Sequence, residues 1–279
     1  MRLLLLVVAV IGVAARAQTT ARPPAIVEAS VQQFEDGPAV TSEPFRPGET
    51  VFFSFQVRGY SVGTGGKVQL TYRIEVLDPD GVLVVEPEAG RVETELSEQD
   101  KDWLPKVRHS FLIPSHALSG RFRILAVVRD GRTAAEAKSE TAFTLQSRQL
   151  DTSGPLAVRN LRFFKAEDDT TPLAAAVYLP GETLWARFDV AGFKRAEGNR
   201  LHVAYGLSII SPSGKVLFTE PRAAEEQDSS FYPKLYVPGV ISLTIQPKTT
   251  PGEYTLLVTA RDEVASEACE TRGAFRVEP

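Results

Sequence analysis

Apolar and polar residues alternate along much of this chain with a period of two. Every second position is apolar between residues 68 and 76, and again between residues 201 and 209. Successive side chains of a strand point to opposite faces, so this pattern predicts strands with one face against a core. The two segments end in an Asp-Pro-Asp-Gly turn at 78–81 and a Ser-Pro-Ser-Gly turn at 211–214, which fit type I turns.

Further strands are predicted near the end of each half of the chain. One runs from 121 to 128, turns near Asp130-Gly131 and returns from 136 to 145. The same pattern recurs over 253–260 and 268–277. No segment keeps helical spacing of its apolar residues for more than two turns, so the prediction is an all-β protein.

The sequence contains an internal repeat. Phe-Arg-Pro-Gly-Glu-Thr-Val at 45–51 returns as Tyr-Leu-Pro-Gly-Glu-Thr-Leu at 178–184, an offset of 133 residues (178 minus 45). Val-Arg-Gly-Tyr at 57–60 returns as Val-Ala-Gly-Phe at 190–193 with the same offset. Offsets stay between about 128 and 134 through to the final strands, which indicates a duplicated domain.

We therefore predict two tandem immunoglobulin-like β-sandwich domains, at 26–146 and 156–279. Short strands joined by Pro- and Gly-marked turns fit a sandwich or a barrel, and the length and tandem arrangement favour the sandwich. The intervening segment 147–155 is polar, contains Gly154-Pro155 and lacks alternation, so it is the predicted linker.

The first seventeen residues predict export. Arg2 is followed by an apolar run over 3–15 and by Ala15-Arg16-Ala17, the layout of a signal peptide with its cleavage site. A membrane anchor is the alternative, but thirteen apolar residues are fewer than the roughly twenty of a spanning helix. We expect cleavage after residue 17, a periplasmic or extracellular location and no membrane span afterwards.

Charge and cysteine content narrow the possible partners. Loss of Arg2 and Arg16 changes the balance from 31 basic against 35 acidic residues to 29 against 35, a net charge of −6. Such a surface argues against nucleic acid and anionic membranes. Cys269 is the only cysteine and aligns with Ala137, so it is interpreted as a buried thiol, with an intermolecular disulfide as the alternative.

No motif predicts catalysis, a cofactor or a metal. Ser-x-x-Lys is absent, and His109, His116 and His202 lack metal-ligand spacing. Asp78, Asp80, Asp130 and the acidic run 225–228 suggest calcium, but no spaced calcium loop occurs and solvated loops explain these acids equally well.

Glu49 and Glu182 follow a Pro-Gly pair in both repeats. They could form a repeated binding site, but a Pro-Gly turn that begins a strand is the better interpretation. No Ser or His with a catalytic role is common to both copies, which argues against an enzyme.

Aromatic residues on loops are the candidate recognition residues. Trp103 precedes Leu-Pro-Lys, and Phe231 and Tyr232 occupy the equivalent place in the second copy. Loops on a rigid sandwich often carry recognition, so these three rings form a possible partner or glycan surface. In the alternative interpretation, each ring caps the open end of its own sandwich.

Each copy resembles the exported immunoglobulin-like domains of bacteria, including macroglobulin-type domains and fibronectin type III modules. The resemblance lies in the Pro-Gly-Glu strand start, the Val-x-Gly-Tyr/Phe strand end and the closing Arg-Asp strand. It implies a non-catalytic binding or structural module of the cell envelope that contacts an envelope or extracellular protein. The alternative is a carbohydrate-binding accessory module that uses the loop aromatics.

Overall fold

The computed structural model describes residues 23–100 and 102–279. The predicted signal peptide, residues 1–17, lies outside these residues. Within them the strands form four sheets, and helical structure consists of single 3-10 turns. These turns are Thr64–Gly66, Glu98–Asp100 and Glu197–Asn199. No helix in the described ranges is long and apolar enough to cross a membrane.

The first β-sandwich packs a three-stranded sheet on a four-stranded sheet. Its strands are β1 (Ala25–Gln32), β2 (Thr50–Arg58), β3 (Lys67–Leu77), β4 (Glu88–Glu95), β5 (Lys106–Leu112), β6 (Gly120–Asp130) and β7 (Glu136–Leu145). One sheet has the order β1-β2-β5 and the other β4-β3-β6-β7, with antiparallel pairing throughout. Phe45 adds an isolated parallel bridge to Leu145.

The second β-sandwich repeats this arrangement. Its strands are β8 (Ala157–Phe164), β9 (Val177–Tyr178), β10 (Thr183–Ala191), β11 (Leu201–Ile210), β12 (Val216–Asp228), β13 (Tyr236–Thr244), β14 (Gly252–Asp262) and β15 (Glu267–Val277). The sheets have the orders β13-β10-β8 and β12-β11-β14-β15-β9. The molecule is thus two tandem immunoglobulin-like β-sandwiches, as the period-two pattern predicts.

Alternating burial along the strands builds one core in each sandwich. On β6 and β14, inward residues are buried and their neighbours are not. These inward residues are Phe122, Ile124, Ala126 and Val128 in β6 and Tyr254, Leu256, Val258 and Ala260 in β14. Burial of each large apolar side chain contributes about 1.5–3 kcal/mol, so the two cores need no disulfide to hold their sheets together.

A buried aspartate at the end of β6 and of β14 shows the duplication in atomic detail. Asp130 and Asp262 are each 1% exposed. Asp130 accepts a hydrogen bond from the backbone N–H of Ser61, and Asp262 accepts one from Lys194, both at 2.7 Å. Each carboxylate also accepts two N–H groups of its own hairpin turn. These acids therefore fasten loops together in both copies.

The two Pro-Gly-Glu motifs form tight turns. Glu49 accepts a hydrogen bond from the backbone N–H of Arg46 at 2.9 Å, and Glu182 accepts one from Leu179 at 2.8 Å. The preceding Gly48 has a φ of 83°, which favours glycine. Both glutamates are engaged in their own turns, which agrees with the structural interpretation of the motif.

Each sandwich has two ends, which we call head and tail. The first strand of a sandwich begins at its head and the last strand finishes at its tail, so the linker joins the first tail to the second head. The loops at the heads include 96–105 in the first sandwich and 229–235 in the second. The loops at the tails include 78–82 and 113–119 in the first sandwich and 211–215 and 245–251 in the second.

Candidate interaction surfaces

Tyr232 joins the two sandwiches. It lies on the head loop of the second sandwich, yet its ring is 5% exposed and belongs to the buried cluster of the first sandwich. Its hydroxyl donates a hydrogen bond to Oδ2 of Asp78 at 3.0 Å. Burial and the nearby Asp78 carboxylate raise the pKa of Tyr232 far above its usual value, so the hydroxyl stays a donor.

His116 supports Tyr232 from the tail of the first sandwich. The two rings stack with centroids 5.4 Å apart, and His116 Nε2 lies 3.1 Å from the Tyr232 carbonyl oxygen. Burial lowers the pKa of His116, although the hydrogen bond to Tyr232 opposes the shift. The neutral ring is therefore favoured at neutral pH, where it can donate Nε2–H to the carbonyl.

Charged groups flank this contact. Lys234 binds Glu226 at 2.5 Å and Asp228 at 2.6 Å on the second head. In the linker, Arg148 pairs with the buried Asp189 and lies over the ring of Tyr236, 5.1 Å from its centroid. The linker is thus fastened to the second sandwich while Tyr232 is fastened to the first, which fixes the two sandwiches relative to each other.

The three predicted recognition aromatics lie in different environments. Trp103 is 38% exposed at the head of the first sandwich, where its ring packs edge-on against Tyr60 at 6.4 Å. Phe231 is exposed beside the junction. The structure does not bring the three rings together on one face.

The sequence interpretations of Tyr232 need correction. Its ring is buried between the sandwiches, so it is not accessible to a glycan, and it fills the tail of the other sandwich instead of capping its own. The sequence could not show this, because its alternating pattern defines each sandwich separately and carries no signal for contacts between them. One difference between the repeats was consistent with this contact. Asp78, which accepts the hydrogen bond of Tyr232, is replaced by Ser211 in the second copy.

An exposed apolar segment lies at the outer end of the second sandwich. Val216, Leu217 and Phe218 are 54%, 53% and 47% exposed at the start of β12. β12 is an edge strand that pairs only with β11, so one side of its backbone is open. We call these three residues, with the adjacent exposed Lys215 and the exposed Lys248 of the tail loop 245–251, the open tail surface.

Sequence reasoning missed this surface. The structure places β12 at the edge, whereas β15 is flanked by β9. The apolar run 216–218 was visible in the sequence, but a run of this kind does not reveal whether a facing strand covers it.

The other candidate residues have local structural partners. Asp78 accepts hydrogen bonds from the backbone N–H groups of Asp80 and Val82. His202 lies 3.4 Å from Glu225. Cys269 is a free thiol, partly buried against the second core, and burial raises its pKa. In the part of the chain that the structure describes, no group of three potential metal ligands comes together.

Comparisons with known proteins give only remote structural likenesses. No family model and no curated protein matches the chain. The chain is similar to the C-terminal domains of the AgI/II polypeptide BspA of Streptococcus agalactiae and the antigen I/II-family protein AspA of Streptococcus pyogenes. Both are 9% identical with a TM-score of 0.31, covering 92% of this chain and 100% and 99% of theirs.

A third similar structure is red sea bream transglutaminase. It is 11% identical with a TM-score of 0.27, covering 91% of this chain and 31% of the transglutaminase chain. At this level of similarity none of these structures assigns a function.

Proposed function

We propose that this protein is a non-catalytic, exported module of the cell envelope that acts through protein–protein contact at the open tail surface. The observation that supports this most strongly is the exposure of three consecutive apolar side chains on an edge strand. Natural proteins usually blunt such edges with charge, proline or short strands, because an open edge pairs with other chains. Here the apolar part of the edge, 216–218, precedes the first charged residue of the strand, Glu220.

A protein partner fits this surface better than a sugar. An extended segment can add its backbone to the open edge of β12 while its apolar side chains cover Leu217 and Phe218. A glycan would need exposed rings on a shared face, whereas Tyr232 is buried and Trp103 and Phe231 lie at the heads of different sandwiches.

The test is a capture experiment with matched variants. Residues 18–279 would be immobilised and exposed to envelope extract, in parallel with Leu217→Ser/Phe218→Ser and with Phe34→Ser. Phe34, a phenylalanine on the first sandwich that is 58% exposed against 47% for Phe218, serves as the control. We expect envelope protein to be retained by the wild type and by Phe34→Ser, and lost from the double variant.

Two outcomes contradict the proposal. Retention of the same proteins by the double variant would exclude the open tail surface as the binding site. Retention of polysaccharide without protein, lost in Trp103→Ala, would replace the proposal with the carbohydrate-binding alternative.

A further inference from the structure

We propose that the partner of the open tail surface is the outer head of a second copy of this chain, at Trp103 and Leu104, so that copies add head to tail. This rests on the proposed function, since it names the partner of the same surface. A contact of this kind is already present inside the molecule, where Tyr232 of the second head loop is buried in the tail of the first sandwich.

The internal repeat makes the outer head equivalent to the head that is already docked. With an offset of 128 residues, Trp103 corresponds to Phe231 and Leu104 corresponds to Tyr232. Tyr232 is buried in a tail, whereas Trp103 and Leu104 are each 38% exposed. The outer head thus carries partly exposed apolar side chains at the docking positions.

The outer tail shows the matching exposure. With an offset of 133 residues, Val84 of the first tail corresponds to Leu217 of the second. Val84 is 2% exposed and shares a buried cluster with Tyr232, while Leu217 is 53% exposed. The tail that receives a head loop buries this position, and the tail that receives none exposes it.

The charges at the two outer ends are complementary. The outer head loop carries three acids, Glu98, Asp100 and Asp102, and one base, Lys101, which gives it a net charge of −2 (one minus three). Lys106, the counterpart of Lys234, pairs with Asp36. Lys215 and Lys248 are exposed at the outer tail, and among the described residues neither forms an ion pair.

The tail at the inner junction is acidic, whereas the outer tail is basic. The first tail carries Asp78 and Asp80, where the second tail has Ser211 and Ser213. An acidic outer head would therefore be repelled by the first tail and attracted by the second. The Tyr232 to Asp78 hydrogen bond has no counterpart outside, because Leu104 and Ser211 replace both partners, so the outer contact is apolar with opposite charges around it.

A contact between two different surfaces of the same chain leaves one of each surface free in every assembly, unless the copies form a ring. Each added copy leaves one free head and one free tail, so the expected assemblies are open chains that lengthen with concentration. This distinguishes the proposal from a two-fold dimer in which β12 pairs with its own copy.

The test is sedimentation velocity of residues 18–279 over about two orders of magnitude in concentration, reaching the high micromolar range. We expect species beyond the dimer that dissociate as salt screens the charges. Phe218→Ser removes the tail contact and Leu104→Ser removes the head contact, and each is expected to weaken association by more than about tenfold. Both positions are exposed, and Phe34→Ser is the control that should associate like the wild type.

Mixing the two variants gives the decisive measurement. Phe218→Ser keeps an intact head and Leu104→Ser keeps an intact tail, so the mixture should form a dimer that cannot grow. A monomeric wild type, or a Leu104→Ser variant that associates like the wild type, would overturn the proposal. The wild type could stay monomeric and still capture an envelope protein that the Leu217→Ser/Phe218→Ser variant does not capture. In that case only this inference fails, and the proposed function stands.

Discussion

At the scale of single residues, a few polar side chains do structural work that the apolar pattern cannot do. Asp130 and Asp262 each tie the loop after one strand to a hairpin turn through backbone N–H groups. The hydroxyl of Tyr232 in the second sandwich donates a hydrogen bond to a buried oxygen of Asp78 in the first. A buried polar group without its partner costs about 1–3 kcal/mol, so each of these contacts is sensitive to a single-atom change.

Tyr232→Phe tests the junction at this scale. The substitution removes only the hydroxyl and leaves Oδ2 of Asp78 without its buried donor, so we expect a loss of about 1–3 kcal/mol in the unfolding free energy of the first sandwich. Denaturant unfolding followed by sandwich-specific probes measures it. Tyr178→Phe is the matched control, because that hydroxyl bonds to Phe164 inside the second sandwich. Its effect should be confined to the stability of the second sandwich. If Tyr232→Phe left the stability of the first sandwich unchanged, the hydrogen bond between Tyr232 and Asp78 would not stabilise the junction.

At the scale of elements, β12 differs most from its counterpart. It has 13 residues where β4 has 8, and its pairing with β11 shifts register around Pro221. Gly206 makes this shift possible: a Cβ there would lie 2.4 Å from the Pro221 carbonyl oxygen. The bulge divides the edge into an apolar part at the tail and an acidic part toward the head.

Gly206→Ala should therefore loosen β12. Backbone carbonyls cannot move aside as a side chain can, so we expect faster amide hydrogen exchange along residues 216–224 and a loss of about 1–3 kcal/mol in stability. Gly37→Ala is the control, because its added Cβ meets only the exposed and movable ring of Phe34. Unchanged exchange in β12 of Gly206→Ala would show that the strand does not depend on this close approach.

The sequence predicts most of the strands and turns, but little of how the two sandwiches meet. Strands, hairpins, turns and the repeat follow from side-chain period and from Pro-Gly chemistry, because these are local properties. The insertion of Tyr232 into another sandwich and the exposure of 216–218 depend on which surfaces meet in three dimensions. Trp103, Phe231 and Tyr232 look alike along the chain, and only the fold separates a buried ring from exposed ones.

At the scale of the whole molecule, the junction and the linker ion pair turn two sandwiches into one body with two free ends. His116 is the titratable ring at that junction, and Lys234, Glu226 and Asp228 are the charges that act on it. Because its pKa is lowered in the folded protein, protonation favours separated sandwiches. Its stabilising contribution is present above the ordinary histidine pKa of about 6.5 and is lost as the pH falls below it.

Small-angle scattering across this range provides the check. We expect the two sandwiches to vary more in relative orientation at pH 5 than at pH 7.5, where the rings of His116 and Tyr232 stay stacked. His116→Gln cannot acquire the charge and should remove the difference between the two pH values. A pH response that persists in this variant would have to come from another group.

The central claim is that Phe218 lies on a surface that meets another protein. The most direct measurement places a photo-crosslinking phenylalanine analogue at position 218 in the producing cell, and at the more exposed position 34 as the control. The account predicts a protein adduct from position 218 and none from position 34. Absence of an adduct at 218, or equal adducts at both positions, would contradict it.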